Sequence, residues 1–190
     1  MQPDLFERPG FTMNPEPGTT GPRLWVRRLV IWREPNQIIR DVHLRPGLNI
    51  VWSPDSLEED SPIGHGGGKT TFCRLLRFCL GEETFAPPAL RQRISEVFPK
   101  GHVGAEVLVE GKLWTVVRSL GIRKRDFVRE GGRMEDAFED GSRPSGIEPL
   151  ISVLTDRIVG ACNELMPRSI GPNAAWRALL AWMTRDQECR

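Results

Sequence analysis

A glycine-rich segment, GHGGGKTT at residues 64–71, constrains the fold more than any other feature of the sequence. Consecutive glycines at 66–68 leave backbone N–H groups free of neighbouring side chains, so these groups can surround a compact anion. From Phe72 to Leu80 apolar residues recur at helical spacing, and Gly81 follows as a stop. A helix that begins directly after the glycines points its positive end at the same anion. The pattern predicts a site for the phosphates of a nucleotide.

Every candidate binding residue for that nucleotide belongs to the segment. The Lys69 ammonium can neutralise the β- and γ-phosphates, and the Thr70 hydroxyl can bind Mg²⁺. We therefore expect a nucleotide and Mg²⁺ as ligands, held by Gly64, His65, Gly66, Gly67, Gly68, Lys69, Thr70 and Thr71. The segment departs from the G-x-x-x-x-G-K-[ST] template because Ile63 stands where the first glycine belongs. A flexible glycine loop that only precedes a helix is the alternative.

The rest of the sequence predicts strands before this segment and a hairpin after it. Runs of β-branched and aromatic residues predict strands at 24–32, 37–44, 48–52, 103–109 and 113–119, with a second hairpin around 127–138. Helices are predicted at 69–80, from Pro88 to about Val97, at 147–162 and at 173–184. The fold class is therefore α/β, a P-loop NTPase lobe with a mixed sheet and an antiparallel hairpin layer. Prolines are dense in residues 1–22, which predicts a disordered leader ahead of one domain at 23–190.

Composition and charge exclude several other classes of protein. The 190 residues carry 26 basic and 25 acidic side chains, so a nucleic-acid surface would have to be a local patch. No apolar run is long enough to span a bilayer and no signal sequence is evident, which predicts a cytoplasmic protein without a membrane partner. Four cysteines lack the spacing of a zinc site or of a disulfide framework: Cys73, Cys79, Cys162 and Cys189.

The sequence also argues against two common kinds of P-loop protein. GTPases need an [NT]-K-x-D motif, but Arg123 precedes Lys124 and Asp126 here, and a D-x-x-G motif is absent. A stand-alone nucleoside kinase needs an acceptor pocket, which no motif marks. ATP binding by another class of P-loop protein is therefore favoured.

Four stretches resemble the N-terminal lobe of SMC-type ATPase heads: RPGLNIV at 45–51, the K-T-T loop, WTVVRSL at 114–120 and AWMTRDQECR at 181–190. These ABC-class ATPases include the SMC proteins, RecF and RecN. Bacterial SMC-like members are often linked to phage defence. The resemblance spans about residues 24–190, and the phosphate loop is its most specific motif.

The resemblance assigns roles to individual residues. It implies that Gln187 is the Q-loop glutamine, which in the family meets the metal and the attacking water. Lys69 and Gln187 are then the candidate catalytic residues, and Thr70 and Gln187 are the candidate Mg²⁺ ligands. An ordinary exposed glutamine at a helix end is the alternative for Gln187.

ABC-type hydrolysis needs further parts, which in the family lie in a C-terminal lobe beyond a coiled coil. One of them is a run of four apolar residues that ends in Asp-Glu; residues 154–157 approach it but fail at Thr155 and Arg157. The expected function is therefore the ATP-binding lobe of an SMC-like ATPase in DNA repair or anti-phage defence. ATP hydrolysis is expected only when a second lobe completes the head.

The same resemblance implies partners. We expect a homodimer, or a hetero-complex with a second head lobe, with ATP between the heads. DNA is a possible further partner through a basic patch at 123–125, for which a solvated turn is the alternative. The alternative function is a non-hydrolysing subunit that senses nucleotide or supports a multi-protein complex.

Overall fold

The computed structural model describes residues 21–51, 68–121, 126–139, 142–160 and 171–184. The strands are β1 (Leu24–Glu34), β2 (Gln37–His43), β3 (His102–Val109), β4 (Lys112–Ser119) and β5 (Phe127–Glu130). The α-helices are α1 (Lys69–Cys79), α2 (Pro88–Val97), α3 (Glu148–Leu154) and α4 (Pro172–Met183). A 3₁₀ helix occupies Met134–Phe138, and a π-helical turn at Thr155–Val159 continues α3. Most predicted elements are therefore present, and the α/β class is confirmed.

The five strands form one sheet in the order β2-β1-β3-β4-β5. Each neighbouring pair is antiparallel, so the mixed sheet that the sequence predicted is not seen in the described part of the chain. P-loop NTPases usually have parallel sheets, and the P-loop part of the fold prediction stays a prediction. The β3–β4 hairpin was predicted correctly. Its two-residue turn places Glu110 and Gly111 at φ 48° and 80°, the left-handed geometry that matches strand twist.

The predicted strand at 48–52 is wrong over its described residues, 48–51, which form no regular element. Their apolar side chains are exposed, from 47% for Val51 to 78% for Ile50. A strand needs a backbone partner, and no described strand pairs with this run. Instead the Asn49 side-chain amide donates to Arg45 O at 2.8 Å, and its Oδ1 accepts from Arg45 N at 3.0 Å, which closes a turn.

The predicted second hairpin at 127–138 is wrong in its second half. The strand β5 pairs with β4, and the chain turns at Gly131 and Gly132, both at positive φ. The chain then enters the 3₁₀ helix, where Met134 is 1% exposed and packs with Trp32 beneath the sheet. Burial of the Met134 thioether in that cluster makes the 3₁₀ helix more stable than the edge strand that the sequence predicted for these residues.

The helices cover one face of the sheet. Buried side chains of α1, including Leu75 and Phe78, pack with inward-facing residues of β3 such as Val103 and Val107. The helices α3 and α4 extend the same core, and α4 is tied to the end of α1 because Trp176 Nε1 donates to Leu80 O at 2.8 Å. No helix among the described residues has both the length and the apolar character needed to cross a membrane.

The strand β2 lies at one edge of the sheet, pairs with β1 and is largely exposed to solvent. All but one of its residues are exposed, including Ile38 and Ile39. Arg28 of β1 forms a two-pronged ion pair with Asp41, with Nη2 to Oδ2 at 2.7 Å and Nε to Oδ1 at 2.8 Å. The hydrogen bond from Arg28 is the main cause that lowers the pKa of the Asp41 carboxyl, and it outweighs desolvation, which acts in the opposite direction.

Candidate functional site

The first turn of α1 is the described part of the predicted phosphate site. Gly68 immediately precedes this helix with φ 71° and ψ 0°, in the left-handed region, and its carbonyl accepts from Phe72 N at 2.7 Å. A β-carbon at this position would meet nothing within 4 Å. Glycine is therefore favoured here by backbone conformation and not by crowding. The helix α1 begins directly after it, at Lys69.

The side chains that follow Gly68 are open to solvent. Lys69 and Thr70 are exposed and Thr71 is half-buried. The first turn of α1 contains no acidic residue, and no side chain in the described part of the molecule caps the N–H groups of this turn. The first N–H groups of a helix have no partner within the helix, so this end offers donors, a positive dipole and an ammonium to an anion.

These residues fit a polyphosphate with its metal ion. Lys69 would contact the β- and γ-phosphates, and Thr70 would supply a hydroxyl to Mg²⁺, which keeps most of its ligands from phosphate and water. The described ranges contain no cluster of three His, Cys, Asp or Glu side chains that could hold a metal ion alone.

Several predicted site residues lie outside the described residues. They are Gly64, His65, Gly66, Gly67 and Gln187, together with the basic patch at 123–125. Of the predicted phosphate segment, the structure brings together Gly68, Lys69, Thr70 and Thr71. The predicted contact of Gln187 with the metal stays a prediction.

The opposite end of α1 is buried and fixed by a residue that the sequence did not single out. Arg118, on β4, is 6% exposed and donates through Nη1 to Phe78 O and to Glu82 O, the latter at 2.7 Å. Its guanidinium lies 3.6 Å from the centroid of the Phe78 ring, and its Nε donates to Asp126 Oδ2 at 3.1 Å. A cation at the negative end of a helix is favourable, so Arg118 both caps α1 and holds it on the sheet.

The two described thiols on α1 have different surroundings. Cys73 is exposed, whereas Cys79 is fully buried, and neither forms a disulfide. Burial raises the pKa of the Cys79 thiol to about 12, so this side chain is a neutral core residue.

A polar cleft opens beside Arg118, which we call the Arg118 cleft and define by Gly81, Arg118, Asp126, Thr155 and Arg177. Its volume is about 790 Å³. Because α1 has 11 residues at about 1.5 Å each, the cleft lies about 16 Å from Lys69. The cleft and the predicted phosphate site are therefore different sites. No sequence pattern marks the cleft, because its lining residues come from five separate parts of the chain.

Comparison of the chain with protein-family models, with curated proteins and with solved structures gave no match. The likeness to SMC-type heads therefore depends on the sequence stretches quoted above. The features of the chain that indicate a function are the glycine-rich segment and the geometry at the start of α1.

Proposed function

We propose that the chain binds ATP and Mg²⁺ through residues 64–71, as the N-terminal lobe of an SMC-like ATPase head. One observation carries the proposal: a left-handed Gly68 is followed at once by Lys69, at the start of a helix whose first N–H groups have no cap among the described side chains. A loop that only preceded a helix would not need an exposed lysine and two threonines in an acid-free first turn. This arrangement suits a ligand with several negative charges.

The chemistry expected of this site is binding and charge neutralisation. The N–H groups at the start of α1 would donate to phosphate oxygens, and Lys69 would place a positive charge where the transferred phosphoryl group becomes more negative. Thr70 would offer its hydroxyl to Mg²⁺, which when bound would supply further positive charge against the phosphates. Activation of water needs a carboxylate, and the first turn of α1 contains none. We expect a second lobe to supply it.

The exposed run at 48–51 supports the need for a partner. Its sequence is typical of a buried strand, yet Leu48 and Ile50 are 72% and 78% exposed. A surface of this kind becomes buried when another lobe adds a strand beside it. The proposed partner is a second copy or a second head lobe. The proposed setting is DNA repair or anti-phage defence in the cytoplasm, with DNA as a possible further ligand.

The alternative is a subunit that binds nucleotide without hydrolysing it. The acid-free start of α1 favours it, since the described residues there offer no general base. The two functions share the same binding site and differ in turnover. Phosphate release by the chain together with its partner lobe would support the ATPase, and stable ATP binding without release would support the sensor.

A titration with a fluorescent ATP analogue in the presence of Mg²⁺ tests the proposal. Loss of a charge-assisted contact in Lys69→Ala should weaken binding about tenfold or more. Lys100→Ala is the matched control, because this lysine is 71% exposed and belongs to the connection between α2 and β3. Equal affinities of the Lys69→Ala variant and the wild type would refute the proposal.

A further inference from the structure

The outer edge of β5 is covered by a short segment of the same chain. The strand β5 pairs with β4 on its inner side and is the last strand of the sheet. On its outer side lie residues 142–146, which we call the edge strap, and they bind the backbone of Asp126 and Val128. A cover of this kind protects a sheet, because the backbone groups of an edge strand can otherwise pair with another strand.

The side chain of Ser145 takes the place of a strand partner. Its Oγ accepts from Val128 N at 2.7 Å and donates to Val128 O at 3.0 Å. A residue of a neighbouring antiparallel strand would form the same two bonds with its own backbone N–H and C=O. One hydroxyl group therefore satisfies both the donor and the acceptor that Val128 presents on the outer side of the sheet.

Two backbone bonds complete the contact of the strap with the sheet. Ser145 N donates to Asp126 O at 3.0 Å, and Gly146 N donates to the same oxygen at 3.1 Å. Gly146 has φ 73°, in the left-handed region, and a β-carbon there would meet the carboxylate of Glu148. The closed strap therefore depends on the hydroxyl at residue 145 and on the glycine at residue 146.

The strap is held weakly compared with the sheet beneath it. Arg143, Pro144 and Ser145 are exposed, and Ser142 and Gly146 are half-buried. None of these five residues belongs to the hydrophobic core that the described residues form. Segments with few buried apolar contacts and exposed hydrogen bonds open at a small cost in free energy, while the core stays folded.

We propose that the edge strap is a releasable cover, which opens as one unit and exposes the outer edge of β5. Opening frees Val128 N, Val128 O and Asp126 O together, because the four hydrogen bonds to them come from Ser145 and Gly146. These are the backbone groups with which an added strand would pair. The strap thereby controls whether this edge can accept an extended strand from another chain. The proposal is independent of the phosphate site.

Hydrogen exchange of the backbone amides, measured by NMR on the whole chain, tests this proposal. If the strap opens as one unit, the amides of Val128, Ser145 and Gly146 exchange through the same opening. Their protection factors should then agree within about fivefold. A larger spread among the three amides would mean that their hydrogen bonds break independently, and it would overturn the proposal.

The variant Ser145→Ala distinguishes a strap from a single local bond. It removes the hydroxyl and leaves the backbone donors of residues 145 and 146 in place. Opening as one unit predicts that these two amides exchange about tenfold faster or more, although their own acceptor, Asp126 O, is unchanged. Faster exchange at Val128 alone, or at none of the three amides, would contradict a common opening.

The variant Gly146→Ala tests the same opening from the other contact. It keeps the Ser145 hydroxyl but strains the closed strap through the positive φ, so the Val128 amide should exchange about fivefold faster or more. The amide of Val116, a fully buried residue of β4, should keep its protection factor in both variants. An equal rise in exchange at Val116 would mean that the whole sheet opens, and the strap would not be a separate unit.

Lys69→Ala is the control that separates this proposal from nucleotide binding. The substitution lies at the start of α1 and should leave the protection factors of all three strap amides unchanged. A nucleotide titration that fails would leave the exchange results standing. Strap amides that do not share one opening would refute the releasable cover and leave the phosphate site untouched.

Discussion

The two ends of α1 are built by different means. The start of the helix is formed by residues that are neighbours in sequence. Gly68 adopts a left-handed conformation directly before the helix, and the side chains of Lys69 and Thr70 after it are exposed. The end depends on distant residues: Arg118 comes from β4, and Trp176 from α4 donates to Leu80 O. The start is therefore free to hold a ligand, whereas the end holds the helix in place. Substitutions at the start should change binding, and substitutions at the end should change stability.

The largest loss of stability is expected for Arg118→Ala. This substitution leaves the carbonyls of Phe78 and Glu82 and the carboxylate of Asp126 without a buried donor. Breaking a buried ion pair by removing one partner costs about 3–5 kcal/mol. Urea unfolding followed by tryptophan fluorescence measures it. A loss below about 1 kcal/mol would mean that the contacts at this end do not hold α1.

A matched pair of glycine substitutions compares the two ends directly. Both Gly68 and Gly81 have positive φ, 71° and 108°. A β-carbon on Gly81 would enter space already filled by Ile151, whereas at Gly68 the space is empty. Gly68→Ala should cost about 1 kcal/mol from backbone strain, and Gly81→Ala about 2 kcal/mol, because its φ lies further from the left-handed helical region and the end of the Ile151 side chain must also move. Equal losses in thermal unfolding would contradict the comparison.

The free energy of unfolding should depend on pH in alkaline solution because of Cys79, at the buried end of α1. Burial raises the pKa of the Cys79 thiol from 9.0 to about 12, so above pH 9.0 the unfolded chain releases a proton that the folded chain retains. The free energy of unfolding should then fall with rising pH, by about 1.4 kcal/mol per pH unit from this group. Cys79→Ala should lose this part of the slope. An identical slope in the variant would show that the thiol does not contribute.

The smallest change in stability is expected at the start of α1. Lys69 is exposed, so Lys69→Ala should alter the free energy of unfolding by less than about 0.5 kcal/mol. The same variant should lose most of its nucleotide affinity. Urea unfolding without ligand separates the two effects, and a large loss of stability would show that the start of α1 is also structural.

The predicted elements that proved correct have local causes. The β3–β4 hairpin follows from the turn at Glu110 and Gly111, and α1 follows from its apolar spacing and the stop at Gly81. The strand predicted at 48–52 failed because a strand also needs a neighbour, which periodicity cannot supply. The second half of the 127–138 hairpin failed because Met134 is buried against Trp32, a contact between residues far apart in sequence.

The phosphate segment and the Arg118 cleft also differ in whether the sequence could predict them. The phosphate site could be predicted because the glycines, lysine and threonines of its segment are consecutive. The Arg118 cleft could not, because Arg118, Asp126 and Thr155 meet only after β4, α3 and the π-helical turn pack together. In the sequence, Thr155 belongs only to a stretch that approaches the acidic motif without matching it. Its buried hydroxyl without a partner is visible only in three dimensions.

The Arg28–Asp41 pair has a consequence for how the protein behaves in concentrated or acidified solution. An open sheet edge invites strands of other molecules, which leads to aggregation, and charged side chains on the edge oppose this. Since Arg28 lowers the pKa of Asp41, this carboxylate stays ionised at acidities that neutralise an ordinary aspartate. The edge strand β2 therefore keeps a charged carboxylate near the exposed Ile38 and Ile39. This charge opposes the pairing of β2 with a strand of another molecule.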